Sequence, residues 1–120
     1  MGSKMLIDVK TRLENIDVDI RIVSAKEAAD EMKTNQGLLV DVREPAEVAE
    51  NHVDASLHIP RGILEMKMLE LEKDAAKPIY LHCASGARAK LSAEQLFKMG
   101  YEKVSVITCS LATIKQVHRT

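Results

Sequence analysis

Residues 79–99 constrain the fold more than any other stretch because they join a strand, a tight loop and a helix. An apolar run at 79–81 follows Pro78 and is typical of a strand in a sheet that is covered on both faces. Small residues follow Cys83, and a helical pattern then continues to Gly100, which is a helix-ending signal. The stretch therefore predicts a strand, loop and helix, with Cys83 at the carboxyl end of the strand.

The predicted loop contains a cysteine, small residues and an arginine: Cys83, Ala84, Ser85, Gly86, Ala87 and Arg88. Small residues let successive N–H groups point inward as an anion-binding nest, and the following helix adds its own unpaired N–H groups. This setting favours a thiolate at Cys83, while Arg88 supplies a planar cation for an oxyanion. The pattern predicts nucleophilic group transfer. The alternative is a structural cysteine followed by an ordinary surface arginine.

A second strand pattern, residues 38–42, carries a single carboxylate within an apolar run. Asp41 and Arg43 lie two residues apart, so they share one face of a strand and are predicted to form a structural ion pair. Pro45 suits the first turn of a helix that continues to Glu50.

The remaining patterns complete an alternation of strands and helices. Further strands are predicted at residues 18–23, 57–59 and 104–107, and further helices at 6–16, 25–33, 62–74 and 111–117. A capping-box pattern at Ser24 and Glu27 starts the second of these helices. The alternation predicts an α/β fold with a mostly parallel five-stranded sheet covered on both faces. Ligands of such sheets bind beyond the carboxyl ends of the strands, where Cys83 is expected.

Composition and charge exclude several classes of function. The net charge is −1 with no basic tract, and no apolar run approaches the length of a membrane span, so neither nucleic acid nor a membrane is expected as a partner. Two cysteines do not form a disulfide framework, which favours a cytoplasmic protein, although a removed signal peptide remains an alternative. The four histidines show no metal-ligand spacing, so we expect neither a metal nor an organic cofactor. We expect one domain over residues 5–120, with residues 1–4 an expression remnant.

These motifs resemble those of the rhodanese family of sulfurtransferases over about Ile20 to Ile107. The matching segments are the loop 83–88, residues 41–45 with Glu47, the pair 52–53, the pair 59–60 with Gly62, and residues 100–104. The departures are Asn51, Ala55 and Ser56, and then Cys109, Ser110 and Ile114 near the end. The last three are expected to change the shape of the pocket wall, while the fold prediction is unaffected.

The resemblance implies a three-layer α/β/α rhodanese-like domain with sulfurtransferase activity. In that family, a cysteine equivalent to Cys83 attacks the outer sulfur of an anionic donor such as thiosulfate and becomes a persulfide. By the same resemblance, the N–H groups of residues 84–88 stabilise the charged sulfur, and Arg88 helps to hold the donor. Asp41 and Arg43 support the loop from below. A small thiol, a protein thiol or cyanide then accepts the sulfur.

Two other classes of function stay open. One is a sulfur carrier or docking module that does not turn over. The other is a cysteine-based phosphatase or arsenate reductase, against which the gap of four residues between Cys83 and Arg88 counts, because cysteine phosphatases in general have five.

Cys109 is a possible second thiol because it follows a predicted strand of the same sheet, where the family usually has glycine. It would then lie near the carboxyl edge and could attack the Cys83 persulfide by thiol–disulfide exchange. The alternative is that Cys109 is only a small, half-buried packing residue.

Overall fold

The computed structural model of the protein describes residues 5–118. The strands are β1 (Arg21–Val23), β2 (Leu38–Asp41), β3 (Leu57–His58), β4 (Ile79–His82) and β5 (Val104–Ile107). The helices are α1 (Val9–Glu14), α2 (Ala25–Asn35), α3 (Pro45–Glu50), α4 (Leu64–Leu71), α5 (Ala87–Lys98) and α6 (Leu111–Val117), with a short 3-10 helix at Arg61–Ile63. The expected remnant at residues 1–4 lies outside the described residues, as does the end of the predicted domain at 119–120.

The strands form one sheet in the order β1-β5-β4-β2-β3, and all four neighbouring pairs are parallel. The predicted α/β class with a five-stranded parallel sheet is therefore confirmed. β4 lies at the centre, and its last residue, His82, is in register with Asp41 of β2 and Ile107 of β5. The carboxyl ends of three strands thus meet at one edge, from which Cys83 continues.

Alternating side chains of the strands supply two apolar cores, one on each face of the sheet. The first contains Val40, Leu81 and Val106 of the strands with Leu64, Met68, Ala93 and Leu96 of α4 and α5. The second contains Leu39, Tyr80 and Ile107 of the strands with Ala28 and Ile114 of α2 and α6. Because helices cover both faces, every residue of β4 is buried.

Local signals fix the ends of several helices where the sequence predicts them. The capping box of α2 is present: the Ser24 hydroxyl accepts from the Glu27 N–H, and the Glu27 carboxylate accepts from the Ser24 N–H, both at 3.0 Å. The helix ends at Asn35, and Gln36 then adopts the left-handed conformation with φ of 55°. α3 covers Pro45–Glu50, as predicted.

Five predicted elements are longer than the observed ones: the strands 18–23, 38–42 and 57–59 and the helices 6–16 and 62–74. β1 is predicted over 18–23 but covers Arg21–Val23, because it lies at the edge of the sheet and pairs with β5 through three residues. The helix predicted over 62–74 ends at Leu71, where the backbone of Glu72 becomes extended. The Tyr101 hydroxyl donates to the Glu72 carbonyl at 2.7 Å and so satisfies a group at the helix end.

α1 lies within the predicted range 6–16, but apolar residues before the helix and at its first position are exposed. Leu6 is 100% exposed and Val9 is 60% exposed. The observed polar contact to the rest of the fold joins Arg12 to Glu94 of α5 at 2.6 Å. Within residues 5–118, no helix combines the length and the apolar character needed to cross a membrane.

Gly37 precedes β2 at a close approach to the neighbouring strand. A Cβ on Gly37 would lie 2.8 Å from the Tyr80 ring and 3.0 Å from the Pro78 carbonyl oxygen. We expect Gly37→Ala to lower the free energy of unfolding by about 1–3 kcal/mol, because strand backbone or a packed ring must move. Urea denaturation measures this loss.

The matched control is Gly62→Ala, because a Cβ on Gly62 has nothing within 4 Å. It should leave the free energy of unfolding unchanged or slightly higher. Equal losses in the two variants would show that close approach at Gly37 is not the cause.

Candidate active site

Cys83 lies at the start of the loop between β4 and α5, and it is only 1% exposed. Its sulfur accepts hydrogen bonds from the Gly86 N–H at 3.1 Å and from the Ala89 N–H at 3.3 Å. The first donor belongs to the loop and the second to the first turn of α5. Both favour a negatively charged sulfur, because the N–H groups at a helix start carry partial positive charge. The loop and the first turn of α5 therefore form a cradle of backbone donors around the Cys83 sulfur.

Gly86 makes this cradle possible. Its φ of +91° lies in the left-handed region, where side chains are disfavoured, and a Cβ there would lie 3.2 Å from Thr108 Cγ2. This conformation turns the chain into α5, and the Gly86 N–H points at the sulfur of Cys83.

The remaining loop residues differ in exposure. Ala84 and Ser85 are exposed, whereas Ala87 and Arg88 are half-buried. Within residues 5–118, no hydrogen bond is made by the N–H groups of these four residues. They are thus available to a ligand, and the sequence analysis named all four as donors. Ala89, which also binds the sulfur, lies outside the range that was named.

The Arg88 side chain does not extend freely into the cradle, because it forms a two-pronged ion pair with Glu47 of α3. The two N···O distances are 2.5 and 2.9 Å, and both side chains are about one-third exposed, at 31% and 35%. The Glu47 carboxylate also accepts from the Glu44 N–H at 2.9 Å. The hydrogen bonds from Arg88, and then the bond from Glu44, lower the pKa of Glu47 to about 2. The same ion pair raises the pKa of Arg88.

Sequence reasoning did not identify this ion pair. Glu47 was noted as part of a motif, but no spacing pattern connects it with Arg88, which lies 41 residues further along the chain.

Asp41 and Arg43 form the ion pair that their spacing predicts. Asp41 is 1% exposed and Arg43 is 5% exposed, and the guanidinium contacts the carboxylate at 2.8–3.0 Å. Arg43 also donates to the Asn51 carbonyl at 2.7 Å and to the Glu47 carbonyl at 3.4 Å. The pair therefore ties the end of β2 to the carboxyl-terminal half of α3. Beyond Asp41, the Arg43 guanidinium donates to carbonyls in and directly after α3, and support of the loop 83–88 by this pair stays a prediction.

His82 is a buried histidine with one unpaired ring nitrogen. Its Nε2 lies 2.6 Å from the Ser56 hydroxyl, but Nδ1 has no partner among the described residues. Burial is the main cause that lowers the pKa of His82 to about 4. The Asp41 carboxylate acts in the opposite direction. In the sequence, His82 shows no metal-ligand spacing, like the other three histidines. Only its neighbour Cys83 and the buried strand pattern could have indicated this position.

Cys109 packs on the other face of the sheet from Cys83. The Cys83 side chain belongs to the core with Leu81, whereas Cys109 packs against the core with Ile107. The Cys109 sulfur accepts from the Ala25 N–H at 3.4 Å. Both cysteines are free thiols.

A groove of about 600 Å³ lies apart from the loop 83–88. It is lined by residues 51–54 and by Ala112, Lys115, Gln116 and His118, and it includes no residue of the loop 83–88. No group of three His, Cys, Asp or Glu side chains within residues 5–118 is arranged to hold a metal ion.

Two curated relatives resemble this chain in sequence. A sulfurtransferase of Allochromatium vinosum is 35% identical over 71 residues, which cover 59% of this chain and 64% of the relative. The thiosulfate:glutathione sulfurtransferase of Saccharomyces cerevisiae is 33% identical over 85 residues, and the match covers 62% of this chain and 61% of that protein. The chain thus spans less than two thirds of the length of either relative.

A solved structure and a family model agree with this fold. The structure is of a Rhodopseudomonas palustris protein of unknown function that is described as a possible tyrosine phosphatase. It matches with a TM-score of 0.75 at 23% identity and covers 97% of this chain and 95% of its own, a likeness that shows the fold alone. The family model described as the rhodanese-like domain matches residues 24–116, which include β2 to β5 and both motifs of the site. The chain therefore belongs to the rhodanese-like domain family.

Proposed function

We propose that this protein is a sulfurtransferase that carries sulfane sulfur on Cys83. The Cys83 thiolate attacks the outer sulfur of a donor such as thiosulfate. A new S–S bond forms, the S–S bond of the donor breaks, and sulfite leaves with the bonding electrons. Cys83 becomes a persulfide anion, so the total charge is the same before and after the step.

The two hydrogen bonds to the Cys83 sulfur carry this proposal. They come from the backbone N–H groups of Gly86 and Ala89, whose directions are fixed by the loop and by the first turn of α5. Preorganised donors of this kind stabilise a charged sulfur without a neighbouring side-chain base. The N–H groups of residues 84, 85, 87 and 88 remain for the outer sulfur of the persulfide.

The second half of the reaction regenerates the Cys83 thiolate. An acceptor thiolate attacks the outer sulfur of the persulfide, a new persulfide forms on the acceptor, and Cys83 leaves as a thiolate. Cyanide accepts the sulfur in the same way and becomes thiocyanate. Because the donor product leaves before the acceptor reacts, the kinetics should be ping-pong. The relatives described as sulfurtransferases support this reaction class.

The same chemistry favours a reducing compartment for this protein. Two free thiols, one of them a nucleophile, suit a compartment in which thiols stay reduced, such as the cytoplasm. No metal or organic cofactor is required by the proposed steps.

The phosphatase alternative is less well supported by the geometry. Cysteine phosphatases in general place five residues between cysteine and arginine, and here there are four. The Arg88 guanidinium is paired with Glu47, and the described contacts do not place it on the Cys83 sulfur. A sulfur carrier that does not turn over would form the same persulfide, and the rate of transfer to a small thiol would separate it from an enzyme.

Substitution of Cys83 tests the proposal directly. Thiosulfate should add one sulfur atom to the protein and cyanide should remove it, because the persulfide is the reaction intermediate. Cys83→Ser should abolish both changes, as measured by intact-protein mass spectrometry. The matched control is Cys109→Ser, which should still gain and lose the sulfur atom. If Cys83→Ser still gained a sulfur atom from thiosulfate, the assignment of Cys83 as the nucleophile would be wrong.

The position of Cys109 on the other face of the sheet favours the packing hypothesis for this residue. Mild oxidation followed by peptide mapping should therefore yield no intramolecular disulfide between Cys83 and Cys109. Cys109→Ala should leave the rates of sulfur transfer and of inactivation unchanged. A mapped Cys83–Cys109 disulfide, or slower inactivation in the variant, would instead support a second reactive thiol.

A further inference from the structure

The arginines near the cradle are neutralised by carboxylates of the protein. Arg88 is paired through two nitrogens with Glu47 of α3. Arg61 follows β3, its N–H donates to the carbonyl of Val42 at the same edge of the sheet, and its guanidinium lies 3.1 Å from Glu65. The side-chain charge offered to an incoming anion is therefore much smaller than two arginines would supply alone.

Negative charges also predominate around the Arg88 guanidinium. Glu47, together with Cys83 and Glu44, raises the pKa of the Arg88 guanidinium, and all three groups are negative when ionised. Arg43 is the second cation that acts on Glu47, but it is buried and already paired with Asp41. A donor with two negative charges would thus approach the carboxylates of Glu44 and Glu47 and the Cys83 thiolate. The Arg88 guanidinium, which is already paired with Glu47, would have to compensate for all of these charges.

We propose that Glu47, by holding the Arg88 guanidinium, sets the charge of the sulfur donor, so that the site accepts singly charged sulfane-sulfur donors in preference to doubly charged thiosulfate. Such donors include thiol persulfides and thiosulfonates. This inference rests on the proposed sulfur transfer through Cys83. Glu47 acts through Arg88, so it is a positioning residue.

The backbone of the cradle is consistent with this preference. N–H dipoles stabilise the one charge that stays on the sulfur, which is the same for every donor. The charge that differs between donors lies on the leaving group, and Arg88 is the loop side chain that can compensate for it. When Glu47 keeps this guanidinium, the additional charge of thiosulfate is not compensated.

Two donors with the same type of sulfur bond isolate the effect of charge. Thiosulfate is a dianion that releases sulfite, and methanethiosulfonate is a monoanion that releases methanesulfinate. In each case the Cys83 thiolate forms one S–S bond, one S–S bond breaks, and the leaving group takes the bonding electrons. The measurement is kcat/KM for each donor at low ionic strength with cyanide as the acceptor, and the readout is the ratio between the two donors.

The test variant is Glu47→Gln, which removes the charge and keeps a side chain that can accept from the Glu44 N–H. We expect kcat/KM for thiosulfate to rise about tenfold, chiefly through a lower KM, which is the size expected of one charge-assisted contact. The value for methanethiosulfonate should change by less than about twofold, since its leaving group carries no additional charge. In the double variant with Arg88→Met, the gain for thiosulfate should disappear.

Two controls separate charge from folding. Glu70→Gln also removes one carboxylate of a surface pair, with Lys67 at 3.6 Å on α4, and should leave the donor ratio unchanged. Glu47→Asp keeps the negative charge and should favour the monoanion as the unmodified protein does, and thermal unfolding checks that each variant is folded. If Glu47→Asp raised kcat/KM for thiosulfate relative to methanethiosulfonate as much as Glu47→Gln does, packing and not charge would be responsible.

The outcomes distinguish this inference from the proposed function. If neither donor loads sulfur on the unmodified protein, sulfur transfer through Cys83 fails, and the inference fails with it. If both donors load sulfur but Glu47→Gln leaves their ratio unchanged, or if the gain survives Arg88→Met, only the inference is overturned.

Discussion

β4 is hydrogen-bonded to a parallel neighbour on each side, and this pairing fixes the position of Cys83. The last residue of the strand, His82, is in register with the ends of β2 and β5. The chain must then turn at once, because α5 covers the face of the sheet to which Cys83 points. Gly86 allows that turn with its positive φ, and its N–H meets the sulfur. The environment of the sulfur is thus created mainly by the backbone, and it depends little on the side chains at 84 and 85.

A second set of contacts connects the sheet to the Arg88 side chain. The ion pair of Asp41 and Arg43 is buried at the end of β2, and Arg43 donates to carbonyls at the end of α3. Glu47 of that helix then binds Arg88. A buried ion pair adds little stability over a well-packed apolar pair, but removal of one partner costs about 3–5 kcal/mol because a buried charge is left uncompensated. The pair therefore connects the end of β2 to α3, the helix whose Glu47 carboxylate binds Arg88.

The sequence predicts the parts of this structure that depend on neighbouring residues. The capping box at Ser24, the short helix that begins at Pro45 and the buried strand at 79–82 were all predicted from local patterns. The extent of β1 was not, because it depends on how far β5 runs beside it. The unpaired ring nitrogen of His82 was also missed, since it depends on what surrounds the ring after folding.

The same distinction between local and distant contacts applies to the chemistry of the site. The loop 83–88 contains the cysteine, the turn and the Gly86 N–H that donates to the sulfur, so its sequence alone predicts a reactive sulfur. The charge of the cradle also depends on Glu47, whose contact with Arg88 spans 41 residues of sequence. Two chains with the same loop but different residues at this position of α3 would present different charges to a donor. The loop motif therefore indicates the reaction class, whereas the charge that the site presents also depends on the contacts of α3.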